Sequence, residues 1–176
     1  MKKIITLGGS NSSKSINKTL AIYASTYLEN VESLTIDLKD YILPMYDPDF
    51  EEENGIPKNA TKLFNLIQCS NGIILSLAEH NGSYSAVFKN TFDWMSRINQ
   101  KIWNDIPMLL MATSPGVRGG ASVLKIAKNS FPYFGGNVVA DFSLPSFYNN
   151  FSENKITDAI LQKALETQIA IFQKSL

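Results

Sequence analysis

KKIITLGGSNSSKSIN, residues 2–17, decides how the rest of this 176-residue chain is read. Ile4, Ile5 and Leu7 form a short β-rich run that stops at Gly8-Gly9-Ser10, and a helical pattern begins at Ser15 with Ile16, Leu20, Ala24 and Tyr27 on one side. The joining loop carries four hydroxyls, two asparagine amides and a lysine. Backbone N–H groups at a helix start have no partner inside the helix, and the helix dipole favours an anion there. One N-cap needs one Ser or Asn. Six such residues in the nine positions from Gly9 to Asn17 exceed that need, so the loop is expected to hold a phosphate. It is neither Gly-x-Gly-x-x-Gly nor Gly-x-x-x-x-Gly-Lys-Ser/Thr, which removes support for a dinucleotide fingerprint and for a nucleotidase P-loop.

The same strand-to-helix alternation continues outward. Leu34, Ile36 and Leu38 alternate as a second strand. Residues 39–57, with three prolines and the acidic run Glu51-Glu52-Glu53, read as a long surface loop whose acidic run is a solvated face. A helix with proline at its start is expected near 57–70. Residues 72–77 and 108–112 are continuous apolar runs, as expected of strands buried on both faces, and 138–142 is a fifth strand. Helices are expected near 86–99, 121–131 and 154–173. Parallel strands require crossover helices of one hand, so the outcome is one open parallel α/β sheet with helices on both faces.

Composition bounds the function. Hydrophobic residues at 44% and charged residues at 18% are globular values, and the length corresponds to about one domain of roughly 150 residues. Sixteen basic residues balance sixteen acidic ones, so no nucleic-acid partner is expected. A single cysteine, Cys69, and a single histidine, His80, leave no multi-cysteine or histidine-rich metal centre. No apolar stretch is long enough to span a membrane, and the N-terminus turns to glycine and serine too early for a signal-peptide core. The expectation is a soluble cytoplasmic protein with no membrane partner.

Ligands of open α/β sheets sit outside the carboxyl ends of the strands. That places the chemistry on the Gly8–Asn17 loop and on two more: Leu77-Ala78-Glu79-His80-Asn81-Gly82-Ser83 and Thr113-Ser114-Pro115-Gly116-Val117-Arg118-Gly119-Gly120. Both contain glycine, which lets backbone approach a ligand closely, and neither holds a triad or a carboxylate pair. One loop suits a phosphate and two suit a flat polar ring held by backbone groups, as in a mononucleotide such as FMN in a flavodoxin-like sheet.

Gly9-Ser10-x-x-x-x-Ser15-x-Asn17, Glu79-His80-Asn81-Gly82-Ser83, Lys89-Asn90-x-x-Asp93-Trp94-x-Ser96-Arg97 and Thr113-Ser114-Pro115-Gly116 with Gly119-Gly120 together resemble the NADPH-dependent FMN reductases, up to about Phe142. Pro44-Met45-Tyr46-Asp47 resembles that family's Leu-Pro-x-Tyr-Asp segment. Three departures stand out: Ser12 where the family often has arginine, His80 where it has an aromatic, and Ala78 where it has proline. The resemblance implies a flavodoxin-like three-layer α/β/α sandwich with a five-stranded parallel sheet in the order 2-1-3-4-5. It implies that Ser10, Ser12, Ser15, Ile16 and Asn17 hold the FMN phosphate. Ala78, Glu79, His80, Asn81 and Gly82 line the isoalloxazine, and Ser114, Pro115, Gly116 and Gly119 face its pyrimidine side. It implies ping-pong hydride transfer from NADPH or NADH through FMN to a small acceptor such as a quinone or azo compound, in a homodimer or homotetramer. The rival readings are a flavodoxin-like single-electron carrier and a non-enzymatic FMN-binding protein. Net zero charge speaks against the carrier, because such proteins are usually acidic to match basic partners.

Three side-chain expectations follow. Asp93 and Arg97, four apart on a helix, read either as an intrahelical ion pair or as a subunit contact. Cys69 reads as a buried helix residue. Phe147, Tyr148 and Phe151 read as a seal over the sheet's end rather than as the rim of the site.

Overall fold

The five apolar runs become five parallel strands of one sheet in a computed structural model that describes residues 1–176. The strands are β1 (Lys2–Gly9), β2 (Val31–Ile36), β3 (Gly72–His80), β5 (Pro107–Thr113) and β6 (Asn137–Leu144), with the two-residue β4 (Ser83–Tyr84) folded back on β3. Their order is β2-β1-β3-β5-β6, which is the expected 2-1-3-4-5 once β4 is set aside. The register is continuous from Ile5↔Leu34 through Ile5↔Ile73 to Ile73↔Met108, and a single irregularity interrupts β5–β6 between Met108 and Leu109. The central strands are apolar on both faces because helices cover both.

The helices are α1 (Ile16–Ser25), α2 (Pro48–Asn54), α3 (Lys58–Gln68), α4 (Ala86–Ile98), α5 (Ala121–Ser130), α6 (Phe147–Asn150) and α7 (Ala159–Ser175). Local sequence explains their starts. Ser15, Ser85 and Asp158 each accept a backbone N–H from the first turn they precede, and Pro57 stands directly before α3. Leu20, Ala21 and Ala24 of α1 and Leu165, Ile169 and Phe172 of α7 bury one face of the sheet. Leu63 and Ile67 of α3, Phe88, Phe92 and Met95 of α4 and Val123 and Ala127 of α5 bury the other, around the aromatic group Phe92, Trp103 and Phe131.

Several expectations are corrected here. The second strand ends at Ile36, and Leu38, expected on it, opens a 3-10 turn (Leu38–Asp40) after Asp37, whose side chain accepts from Lys39 N; residues 39–57 also contain α2, because Asp47 caps that helix and Pro48 opens it. Glu51 is not part of a solvated face: it accepts from Arg97 Nε (2.9 Å) and from the Tyr46 hydroxyl (3.1 Å). Arg97 therefore does not pair with Asp93, which binds Lys89 one turn earlier at 2.7 Å. Cys69 is exposed, since α3 ends at Gln68 and leaves it at the C-cap. The last helix starts at Ala159, not near 154, because β7 (Phe151–Ser152) and β8 (Lys155–Ile156) form a hairpin through Glu153 and Asn154, both left-handed. Trp94 is fully buried, and its indole N–H donates to Pro44 O at 2.8 Å.

Asp37, just past β2, ties that edge to α1 through Lys18 Nζ at 2.5 Å, with Lys39 Nζ at 3.6 Å. Burial raises its carboxyl's pKa, but the Lys18 hydrogen bond, the Lys39 backbone N–H and the two ammonium charges outweigh this and hold it below the ordinary carboxylate value. A depressed carboxyl stabilises the fold above the unfolded value of about 4 and loses that contribution as pH falls through the folded value. Asp37→Asn should therefore lower stability at neutral pH and flatten its fall below about pH 4. Urea titrations of both proteins at pH 3 and pH 7 measure this, and parallel acid profiles would refute it.

Candidate functional site

Three chain segments converge at the carboxyl ends of β1, β3 and β5. Gly8 sits where β1 passes under α1, so close that a Cβ there would lie 2.6 Å from Lys18 N. The strand thus delivers the chain directly into the start of α1. Around that start the loop is organised by its own hydroxyls. Ser10 Oγ accepts from Ser12 N (3.1 Å), Ser12 Oγ from Lys14 N (3.2 Å) and Ser15 Oγ from Lys18 N (3.1 Å). Each hydroxyl spends a lone pair and keeps its proton free to donate outward. The backbone N–H groups of Ile16 and Asn17 open the helix without a protein acceptor. Lys14, exposed and without an ion-pair partner, adds positive charge. This set of donors suits an anion.

The Asn17 side chain has another task. It is 3% exposed; Oδ1 accepts from Thr113 N (3.0 Å) and from the Ser76 hydroxyl (2.7 Å), while Nδ2 donates to Thr113 O (3.1 Å). Asn17 therefore offers a ligand its backbone N–H, and its amide fastens α1 to the ends of β3 and β5. Ser85 does the same for the second loop: its Oγ donates to Gly9 O at 2.6 Å while capping α4.

The second segment is a tight hairpin rather than an open loop. Asn81 (φ 52°) and Gly82 (φ 77°) are both left-handed, as a two-residue turn of the I′ kind requires, and His80 pairs with Ser83. The Asn-Gly pair is the sequence signal for this turn. The hairpin carries Asn81 and Gly82 away from the cleft while leaving His80 exposed at its edge. Glu79 turns inward. Its Oε2 accepts from Ser122 N (2.9 Å) and Val123 N (3.0 Å), with Arg118 Nη2 3.8 Å from Oε1. The residue before α5 is Gly120, in a left-handed conformation where a Cβ would lie 2.9 Å from the Ala112 Cβ, so it has no side chain to cap with. Glu79 supplies the missing cap from another strand, placing negative charge where the helix dipole favours it.

In the third segment, Thr113, Ser114 and Pro115 line the cleft, and Gly116 and Gly119 do not. Gly119 is required by packing, because a Cβ would meet Ser143 Oγ at 2.5 Å and Leu144 backbone at 2.9 Å.

One cleft of about 180 Å³ thus gathers Ser10, Ser12, Ser15, Ile16 and Asn17 from the first segment, Ala78, Glu79 and His80 from the second, and Ser114 and Pro115 from the third. Larger depressions of about 610 and 670 Å³ lie elsewhere, beside α5, β6 and α7 and around Met1 and Asn30. They lack a free helix start, so size alone does not mark the site. Lys14 and Thr113, which lie in the expected loops without an assigned contact, and Tyr148, expected at the sheet's end, also line the cleft. Phe147 and Phe151 stack at 4.8 Å and pack on the core layer of α1 and α7, whereas Tyr148, 69% exposed, stands at the cleft. No group of histidine, cysteine and acidic side chains is arranged to hold a metal ion, and no helix is long and apolar enough to cross a membrane.

A parallel sheet in this order, with a hydroxyl-rich loop at the first crossover, is a flavodoxin-like fold. The sequence model of the NADPH-dependent FMN reductases matches residues 2–149, and the chain belongs to that family. It is 28% identical over 114 residues to the quinone reductase of Escherichia coli K12, an alignment spanning 65% of this chain and 59% of that protein. Among solved structures it resembles FerB, a flavoenzyme NAD(P)H:(acceptor) oxidoreductase from Paracoccus denitrificans. The TM-score is 0.73 at 25% identity, with 99% of each chain covered. A mutant flavodoxin from Pseudomonas aeruginosa superimposes with a TM-score of 0.57 at 14% identity, covering 99% of this chain and 98% of that one, which reflects shared fold.

Proposed function

We propose that this protein binds FMN and catalyses two-electron transfer from NADPH or NADH to a small oxidised acceptor of the quinone or azo type. The observation that carries the proposal is the donor set at the start of α1: two unpaired backbone N–H groups, three hydroxyls with uncommitted protons and Lys14, all on one cleft. These residues fit a phosphate dianion, which offers only acceptors. The cleft's volume of about 180 Å³ is below the ~300 Å³ lower bound of ordinary small-molecule pockets, which suits a phosphate and its polyol chain better than a whole flavin. A ring would then lie at the open mouth, between His80 and Pro115.

When bound, FMN would supply the two-electron redox chemistry between nicotinamide and acceptor. The chain's own part is to bind and orient. Ser10, Ser12, Ser15, Ile16 and Asn17 anchor the phosphate, while the backbone of residues 78–80 and 114–115 shapes the mouth. The Asn17, Glu79 and Ser85 side chains hold the three segments in register, so little reorganisation is required on binding. The open mouth suits successive visits by nicotinamide and acceptor. The names of the quinone reductase and of FerB support this reading over a one-electron carrier, as does the balanced charge.

The test is a visible spectrum of the purified protein reconstituted with FMN, recorded without oxygen before and after NADPH, then NADH. Uptake of flavin and its complete bleaching in a two-electron step, reversed by a quinone, is the expected result. Bleaching that halts at a one-electron stage would favour the carrier. Failure to take up FMN would leave a non-enzymatic protein.

A further inference from the structure

Tyr148 is the one residue of the cleft that belongs to none of the three loops at the ends of β1, β3 and β5. It lies on α6, a single turn after β6, and that turn is held firmly in place. Ser146 takes a left-handed conformation (φ 45°), which a non-glycine residue keeps only when its surroundings impose it. They do: the Ser146 N–H donates to Gly116 O (2.9 Å) and the Phe147 N–H to Ser114 O (3.0 Å), so α6 rides on the third loop. Phe147 is buried in the layer that contains Leu20 and Ala21 of α1. The backbone at position 148 is therefore fixed on the α1 side of the sheet, the side from which the anion cradle is built. The Tyr148 ring stands edge-on to Phe147 at 5.6 Å and is 69% exposed. Its hydroxyl takes no part in the hydrogen bonds of its own segment, which run from Asn150 Nδ2 to Pro145 O and from Thr157 Oγ1 to Asn149 O.

The two hydrogen bonds and the burial of Phe147 account for the turn, and none of them involves the phenol of Tyr148, which stays exposed beside the cleft. The free donors lie at the start of α1, and Tyr148 lines the same cleft from the segment after β6. We infer that the Tyr148 phenol donates a hydrogen bond to the phosphate of the bound mononucleotide and closes the cradle on the side that α1 leaves open. The inference rests on FMN being the ligand. A phenol contributes one directed donor, and a phosphate oxygen is the charged acceptor for which such a bond is strongest.

Comparing FMN with riboflavin, which has the same ring and polyol without the phosphate, isolates the contact. Flavin-fluorescence titrations of the apoprotein measure both affinities. Tyr148→Phe keeps the ring and removes only the hydroxyl. The expected result is a Kd for FMN raised about tenfold and a Kd for riboflavin changed less than twofold, with the thermal midpoint of the unliganded protein unaltered. An unchanged Kd for FMN overturns the inference, and so does equal weakening for both flavins, which would place the side chain on the ring. A lowered thermal midpoint also overturns it, because the hydroxyl would then serve the fold. A wild-type protein that binds FMN alongside an unaffected Tyr148→Phe removes this inference and leaves the proposed function standing. A wild-type protein that binds no FMN removes both.

Discussion

Asn17→Ala is expected to lower the unfolding free energy by about 3–5 kcal/mol, because one truncation leaves several buried partners unmatched. The amide satisfies Thr113 N, Thr113 O and the Ser76 hydroxyl, and Ser76 and Thr113 are themselves 0% and 1% exposed. The cavity left behind is too enclosed to supply three good replacements from water. For a chain of this size the loss corresponds to roughly 10 °C in thermal midpoint. The effect reaches the site as well, since the same amide sets the distance between the start of α1 and the end of β5. Asn17→Asp separates the two roles. It keeps both accepted hydrogen bonds but cannot donate to Thr113 O, and it places a carboxylate beside the anion cradle. Flavin affinity should therefore fall further in Asn17→Asp than stability does. Urea unfolding with FMN titration of both variants measures this. A midpoint for Asn17→Ala within about 2 °C of wild type would show that the fastening is dispensable.

Gly8→Ala is the second large effect, and its cause is steric. The new Cβ would lie 2.6, 2.7 and 2.8 Å from the N, Cα and Cβ of Lys18, the first two of them backbone atoms in the opening turns of α1. No side-chain rotation relieves contacts of that kind, so the helix start must lift from the sheet. Overpacking of this sort costs about 1–3 kcal/mol. The functional cost is the larger one, because the Ile16 and Asn17 N–H groups move with the helix. Gly116→Ala is the control: the nearest atom to a Cβ there is Ser114 Oγ at 3.8 Å, so the unliganded protein should keep its stability. Equal midpoints and equal FMN affinities for Gly8→Ala and wild type would refute the close-packing argument.

Glu79 shows how far chemistry can be read from a string of residues. Its resemblance to a flavin-loop glutamate implied a place along the ring, and it does line the cleft. Its carboxylate is nevertheless used to cap α5, more than forty residues further on, where Gly120 cannot. Asn17 is a parallel case: expected to hold the phosphate, it gives its amide to Thr113 and Ser76 and leaves its backbone N–H free at the start of α1. In both, residue type and position were legible and the bonding partner was not. The Asn81-Gly82 pair is the opposite case, a local signal for a tight hairpin that the surrounding glycine and serine obscured as a loop.

Local sequence is enough to place the alternation of strands and helices, the helix starts near Ser15, Pro57 and Ala86 and the three loops that line the cleft. These depend on apolar periodicity and on caps acting within three or four residues, so each is written locally. Long-range packing sets the rest: Arg97 binds Glu51 while Asp93 binds Lys89, Asn17 joins α1 to Thr113, and Tyr148 reaches the cleft while Phe147 is buried beside it. The reason is the distance along the chain. Glu51 and Arg97 are 46 positions apart, and Asn17 and Thr113 are 96 apart. At such separations a polar side chain has many chemically equivalent partners, and only strand register and helix packing bring one of them within hydrogen-bond reach.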